Sequence, residues 1–146
     1  MGSMPSGESL LEQIQDRIRY LEALVLYGAA SVFSVKNSGF SFTIDGYAGS
    51  NPPILVLCGL TYAFDLGLEP NHPFVIRNAI GGGLINSNMT FVDGLGNITK
   101  GSSANVGRTT GRLYWHVPHT LPTGTYVYQS MNYDSMAGNI VIRNMS

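Results

Sequence analysis

Hydrophobic and polar residues change their rhythm once along this chain, near Gly28. Before that point Leu11, Ile14, Ile18, Leu21 and Val25 follow one another at spacings of 3, 4, 3 and 4. This period places apolar side chains on one face of an α-helix. Ser9 and Glu12 stand at its start as an S-x-x-E capping box, in which each side chain satisfies an orphan backbone N–H of the first turn. The spacing is a heptad seam, with Leu11, Ile18 and Val25 at a and Ile14 and Leu21 at d. Arg17 falls at g and Glu22 at the following e, where charges bridge neighbouring helices. A helix of about 17 residues is marginal alone in water and must dock. Leu10, Leu24 and Leu26 widen the apolar face toward packing on its own domain, whereas the seam points to self-association. Self-association through residues 9–27 is the leading expectation.

After Gly28 the helical period stops and short β-branched and aromatic runs take over. "SVFSV", "FSFTI", "ILVLCGLTYAFDL", "PFVIRN", "MTFV", "RLYWHV", "TYVYQS" and "NIVIRN" are separated by turn material such as "NSG", "DGYAGSNPP", "LEPNHP", "DGLGN", "PTG" and "MAG". Seven or eight strands at that spacing predict an antiparallel β-sandwich or small barrel. Gly81 to Gly111, with eight glycines and the polar tract "TKGSSANVG", reads as long surface loops. The resulting division is a tag-like start over 1–8, a helical stalk over 9–27 and a β domain over 28–146.

Composition removes several function classes. Only 12% of residues are charged, against a usual share of roughly 25%. The surface is therefore covered by Ser, Thr, Asn, Gly and Tyr, as on secreted and virion proteins. Net charge is −1 and the eight basic residues are dispersed, whereas a phosphate-backbone binder needs them clustered. The run Ala23 to Val35 is too short and interrupted to span a bilayer. No nucleic acid or membrane partner is expected. The single cysteine, Cys58, excludes an intrachain disulfide; within "ILVLCGL" it reads as a buried, inert strand residue. Asn-x-Ser/Thr triplets at Asn88, Asn97 and Asn144 arise by chance in an Asn-rich chain. Asp45, Asp65, Asp93 and Asp134 fall where turns or strand ends are expected. Ser130 lies outside any G-x-S-x-G elbow, so no enzyme is predicted.

Two stretches carry more information. "NPPILVLCGLTYAFDLGLEPNHPFVI" places His72 before Pro73 and Phe74, and "LYWHVPHTLPTGTYVYQSMNYDSMAGNIVI" has a strand, a turn, a Tyr-x-Tyr strand, a loop and a last strand. Over roughly Phe40 to Asn144 this resembles the cupredoxins, with their "HPF" segment and closing Cys-x-x-His-x-x-Met-x-Gly loop. The resemblance implies a Greek-key β-sandwich. It also implies a copper site whose ligand positions fall on His72, Ser130, Tyr133 and Met136, with Gly138 at the Gly that begins the final strand. Ser130 stands where a copper-binding member has its thiolate, and Tyr133 stands where it has its second imidazole. A blue-copper centre depends on both groups, so the resemblance leads to a vestigial site and no cofactor. His116 and His119 are expected at the surface or beside other structure.

A short helical stalk with a compact β head is similar in arrangement to phage fibre, head-decoration and tail-tip proteins. The leading expectation is a non-catalytic structural or attachment protein, virion-borne or extracellular. It would be homo-oligomeric through Leu11, Ile14, Ile18, Leu21 and Val25, with a trimer favoured, and would contact other virion proteins or a host-surface glycan. The alternatives are a small copper electron-transfer protein with an altered site, and a secreted carbohydrate-binding module using Tyr114, Trp115, Tyr126 or Tyr128 as a stacking platform.

Overall fold

The structure, a computed structural model, describes residues 10–15 and 29–144. Residues 10–15 are helical, with Leu11 54% and Ile14 46% exposed. Ile18, Leu21 and Val25, the rest of the proposed seam, lie outside the described residues, as does the capping Ser9.

From Ala29 onward the described chain is built of strands: β1 (Ala29–Ser38), β2 (Ser41–Ile44), β3 (Ile54–Leu57), β4 (Thr61–Gly67), β5 (Phe74–Arg77), β6 (Met89–Val92), β7 (Ile98–Lys100), β8 (Thr110–His116), β9 (Gly124–Ser130) and β10 (Ala137–Arg143). They form two sheets, in the orders β2-β1-β4-β8-β6-β7 and β3-β10-β9-β5. This is a two-sheet β-sandwich, as the strand spacing leads one to expect. Each sheet is mixed rather than wholly antiparallel, because β1 pairs with β4, and β3 with β10, in parallel. Connectivity is the reason. The β1–β2 hairpin occupies one edge of β1, the chain crosses to the other sheet for β3, and it returns through Cys58 and Gly59. β4 therefore arrives on the free edge of β1 running in the same direction.

Alternation along the strands fills the space between the sheets. Phe33 and Val35 of β1, Tyr62, Phe64 and Leu66 of β4, and Leu113 and Trp115 of β8 are buried in one cluster with Val56, Phe74, Ile76, Tyr128, Ile140 and Ile142 of the facing sheet. Burying each large apolar side chain contributes about 1.5–3 kcal/mol. Tyr128 stacks on Phe74 (5.8 Å between centroids) and meets Phe42 edge-on (5.6 Å). Its hydroxyl donates to the Pro52 carbonyl, so the ring's one polar atom is satisfied inside the core. Gly138 sits opposite Tyr128 in the β9–β10 ladder, and a methyl group there would overlap the ring.

Several details differ from the sequence reading. Residues 81–111 are not all loop, since β7 pairs with β6. Three residues are too few to carry a period-2 signal, and the strand is set by the Asp93 turn before it. There Asp93 accepts the Leu95 and Asn97 N–H groups, each at 2.9 Å. Asp65 lies within β4, not at a turn or strand end, and faces Arg112 on β8 at 3.5 Å. Cys58 is buried, as expected, but in the β3–β4 turn instead of a strand. Buried Asn105 accepts the Ile76 N–H at 3.0 Å and donates to the Ile76 and Ile85 carbonyls at 2.8 Å each. One side chain thereby fastens the loop before β8 to the edge strand β5.

Candidate functional site

The site begins with a turn. His72 closes the β4–β5 connection, its N–H donating to the Glu69 carbonyl at 3.0 Å. Pro73 then ends the turn and starts the extended chain of β5. Because Phe74 pairs with Ser130 in the β5–β9 ladder, this turn lies beside the β9–β10 loop. The Met131 N–H donates to the Pro73 carbonyl at 2.9 Å, and the Asn132 side chain donates to the Asn71 carbonyl at 3.0 Å. The β9–β10 loop is also closed upon itself. Ser130 N–H donates to the Met136 carbonyl at 2.9 Å, Met136 N–H to the Tyr133 carbonyl at 3.1 Å, and the buried Gln129 amide to the Asp134 carbonyl at 2.8 Å.

All four positions picked out by the resemblance therefore gather at one end of the sandwich. His72, Ser130 and Met136 are buried, and Tyr133 is 37% exposed. The Tyr133 and His72 rings lie 5.3 Å apart between centroids. A third ring, which the sequence reading overlooked, completes the group. Phe40, from the β1–β2 turn, meets Tyr133 edge-on at 4.9 Å and His72 at 5.5 Å. The sequence reading counts Phe40 as the first residue of the strand run "FSFTI", whereas β2 starts at Ser41 and Phe40 stays in the turn, where it has no strand face to pack into.

The donor set does not suit a blue-copper centre. Ser130 Oγ accepts the Asn132 N–H at 3.2 Å, the arrangement by which a hydroxyl ties its own turn; a hydroxyl does not replace a thiolate. The set offers one imidazole and the Met136 thioether. Among the described residues no group of three or more His, Cys, Asp and Glu side chains converges on a point. Cys58 cannot supply the thiolate, because its N–H donates to Arg143 at the far end of β10, about 20 Å along the strand from the loop. His116, which contacts the Thr61 hydroxyl through Nδ1 at 3.0 Å, and His119, packed over Gly59, occupy that far end too. One feature of a ligand remains: His72 Nδ1 is buried with no hydrogen-bond partner among the described residues.

The aromatic platform proposed on the strands is not available. Tyr114, Trp115 and Tyr128 are buried and Tyr126 is half-buried, because these residues point into the sandwich or, for Tyr114, pack with Ala63 on the outer face of the six-stranded sheet. The exposed aromatic pair at the site is Phe40, 61% exposed, with Tyr133.

No family model matches this sequence, and no curated protein matches it. Among solved structures, rusticyanin from Thiobacillus ferrooxidans is 18% identical over 77% of each chain, with a TM-score of 0.46. Auracyanin B is 13% identical over 79% of this chain and 90% of its own, with a TM-score of 0.42. A reduced amicyanin variant is 16% identical over 77% and 82%, with a TM-score of 0.37. These likenesses concern overall architecture; the fold stated above rests on strand order and register.

Proposed function

We propose that this chain is a non-catalytic structural or attachment module, a cupredoxin-like head that works by binding and not by electron transfer. The observation that carries the reading is the closed β9–β10 loop. Ser130 Oγ is engaged by the Asn132 N–H, and Tyr133 is packed against His72 and Phe40. These residues fill the place of two strong copper ligands with a hydrogen-bonded turn and a cluster of rings. The paucity of charge and the exposed helical residues Leu11 and Ile14 fit a virion or extracellular protein assembled through residues 9–27, as a trimer. Phage fibre, decoration or tail-tip components are the class proposed, with no cofactor.

A second reading is favoured by the fold class itself and by the unpartnered His72 Nδ1 beside the loop that holds Met136: a small copper protein with an altered site. Fold class alone fits that reading better than a virion role. Copper titration separates the two. Protein incubated with Cu(II) and desalted is expected to retain no stoichiometric copper and to show no intense thiolate-to-copper absorption. One tightly held copper per chain, by elemental analysis, would establish the second reading instead.

A further inference from the structure

We propose that the end of the sandwich carrying Phe40, His72 and Tyr133 is a recognition face for a neutral saccharide, an assignment that rests on the attachment reading above. Three turns build this face, each supplying one ring: β1–β2 supplies Phe40, β4–β5 supplies His72 and β9–β10 supplies Tyr133. Phe40 is 61% exposed, and Met131 in the β9–β10 loop is exposed as well. Asn71 and Asn132, in the same two turns as His72 and Tyr133, are exposed, and the Asn132 amide donates to the Asn71 carbonyl. Apolar ring surface interleaved with amides is the chemistry that takes the C–H faces of a sugar and the hydroxyls around its rim.

Charge selects among possible ligands. Residues 38–41, 68–73 and 131–136, which form the three turns, contain no Lys or Arg, and their acidic residues are Glu69 and Asp134. A sulfated, sialylated or phosphorylated ligand would find no cation on these three turns; Arg108, in the neighbouring loop that bridges Phe74, lies over the Phe91 ring and donates to the Ser103 carbonyl. The second observation lies beneath the rings. His72 is 1% exposed and its Nδ1 lacks a partner among the described residues, which leaves a hydrogen bond to be made by a hydroxyl that reaches under Phe40.

The placement of the chain ends agrees. Ala29 pairs with Thr61 and Arg143 receives the Cys58 N–H, so the start of β1 and the end of β10 lie at the end of the sandwich opposite the rings. A head carried on its N-terminal segment would therefore present Phe40 and Tyr133 outward.

The test is a glycan array of neutral glucan, galactan, mannan and chitin oligosaccharides with sialylated and sulfated controls. It is probed with the full chain, Phe40→Ala, Tyr133→Ala and Phe40→Tyr, each checked for an unchanged melting temperature. The expected result is retention of one class of neutral oligosaccharide, weakened about tenfold or more by either alanine and restored by Phe40→Tyr. Silence toward every neutral glycan overturns the assignment, as does retention of charged glycans alone or binding that neither alanine weakens. A change in subunit number in Phe40→Ala, with no glycan bound, would assign the face to a second copy of this chain. Copper-free protein that is silent on the array loses only the saccharide assignment, whereas tight copper binding removes the attachment reading itself.

Discussion

A single tyrosine shows how the core treats a polar atom. Tyr128 is fully buried among Phe42 and Phe74, and its hydroxyl donates to the Pro52 carbonyl. Burial disfavours the phenolate and pushes its pKa far above the usual value of about 10. The sign follows directly. The folded state keeps the proton where the unfolded chain releases it, so the stabilisation is complete below pH about 10 and declines above it. Denaturant midpoints are expected to fall by up to about 1.4 kcal/mol of stability per pH unit above pH 10 on account of this group. In Tyr128→Phe that share of the alkaline slope should disappear, at a cost near neutrality of about 1–3 kcal/mol for the orphaned Pro52 carbonyl. An unaltered slope in the variant would mean that other groups govern alkaline unfolding. At this scale Gly138 was picked out by the resemblance to the cupredoxins, but its physical role is visible only in the cross-strand pairing that lays the Tyr128 ring over it.

Among the elements, β5 is fastened in part by a side chain. It is the edge of its sheet, four residues long, and pairs along one side with β9. On its other side isolated bridges join Phe74 to Arg108 and Arg77 to Leu84, and Asn105 takes both the N–H and the carbonyl of Ile76. Asn105→Ala would leave the Ile76 N–H and the Ile85 carbonyl without this partner, while the Ile76 carbonyl keeps the Ile85 N–H at 3.0 Å. The expected loss is about 2–5 kcal/mol, since each orphaned buried group costs about 1–3 kcal/mol and water recovers part of it. Hydrogen exchange should accelerate first at the Ile76 amide. If exchange there stays as slow as in the parent chain, the clamp is not what holds β5. Because β5 leads out of His72, the same change is expected to loosen the ring cluster. The sequence displayed β5 plainly as "PFVIRN", yet "TKGSSANVG" concealed its clamp, because an Asn in a polar tract looks like any other loop Asn.

For the whole molecule the question is what residues 1–27 contribute. The main buried cluster of the described residues runs from Phe33 to Ile142 and draws on both sheets. Deleting residues 1–27 is therefore expected to leave a β domain that melts cooperatively within a few degrees of the parent. Sedimentation should show the full chain as a trimer and the deleted chain as a monomer. In the full chain, Ile18→Asp should dissociate the assembly and leave the sandwich folded, because an unpaired carboxylate buried in a seam costs several kcal/mol. Multivalent surface binding would then weaken by about 10²–10⁴. A monomeric full chain at micromolar concentration would place the helix against its own domain.

The local pattern of this sequence was enough to determine most of the strands, the turns between them and the helical residues 10–15, because alternation, helical period and turn residues act over a few neighbours. The resemblance to the cupredoxins related His72, Ser130, Tyr133 and Met136 to one another, and the apolar run around Cys58 marked it as buried. Other properties are set by which strand lies beside which. Those are the parallel pairs β1–β4 and β3–β10, the inward facing of Trp115 and Tyr128, and the short strand β7. The third ring at the site belongs with them. Phe40 and Tyr133 are far apart along the chain, and only the closing of two sheets brings their turns together. Pairing between distant segments depends on the packing of all the strands at once, so the exposed aromatic end of the sandwich was decided by the tertiary structure.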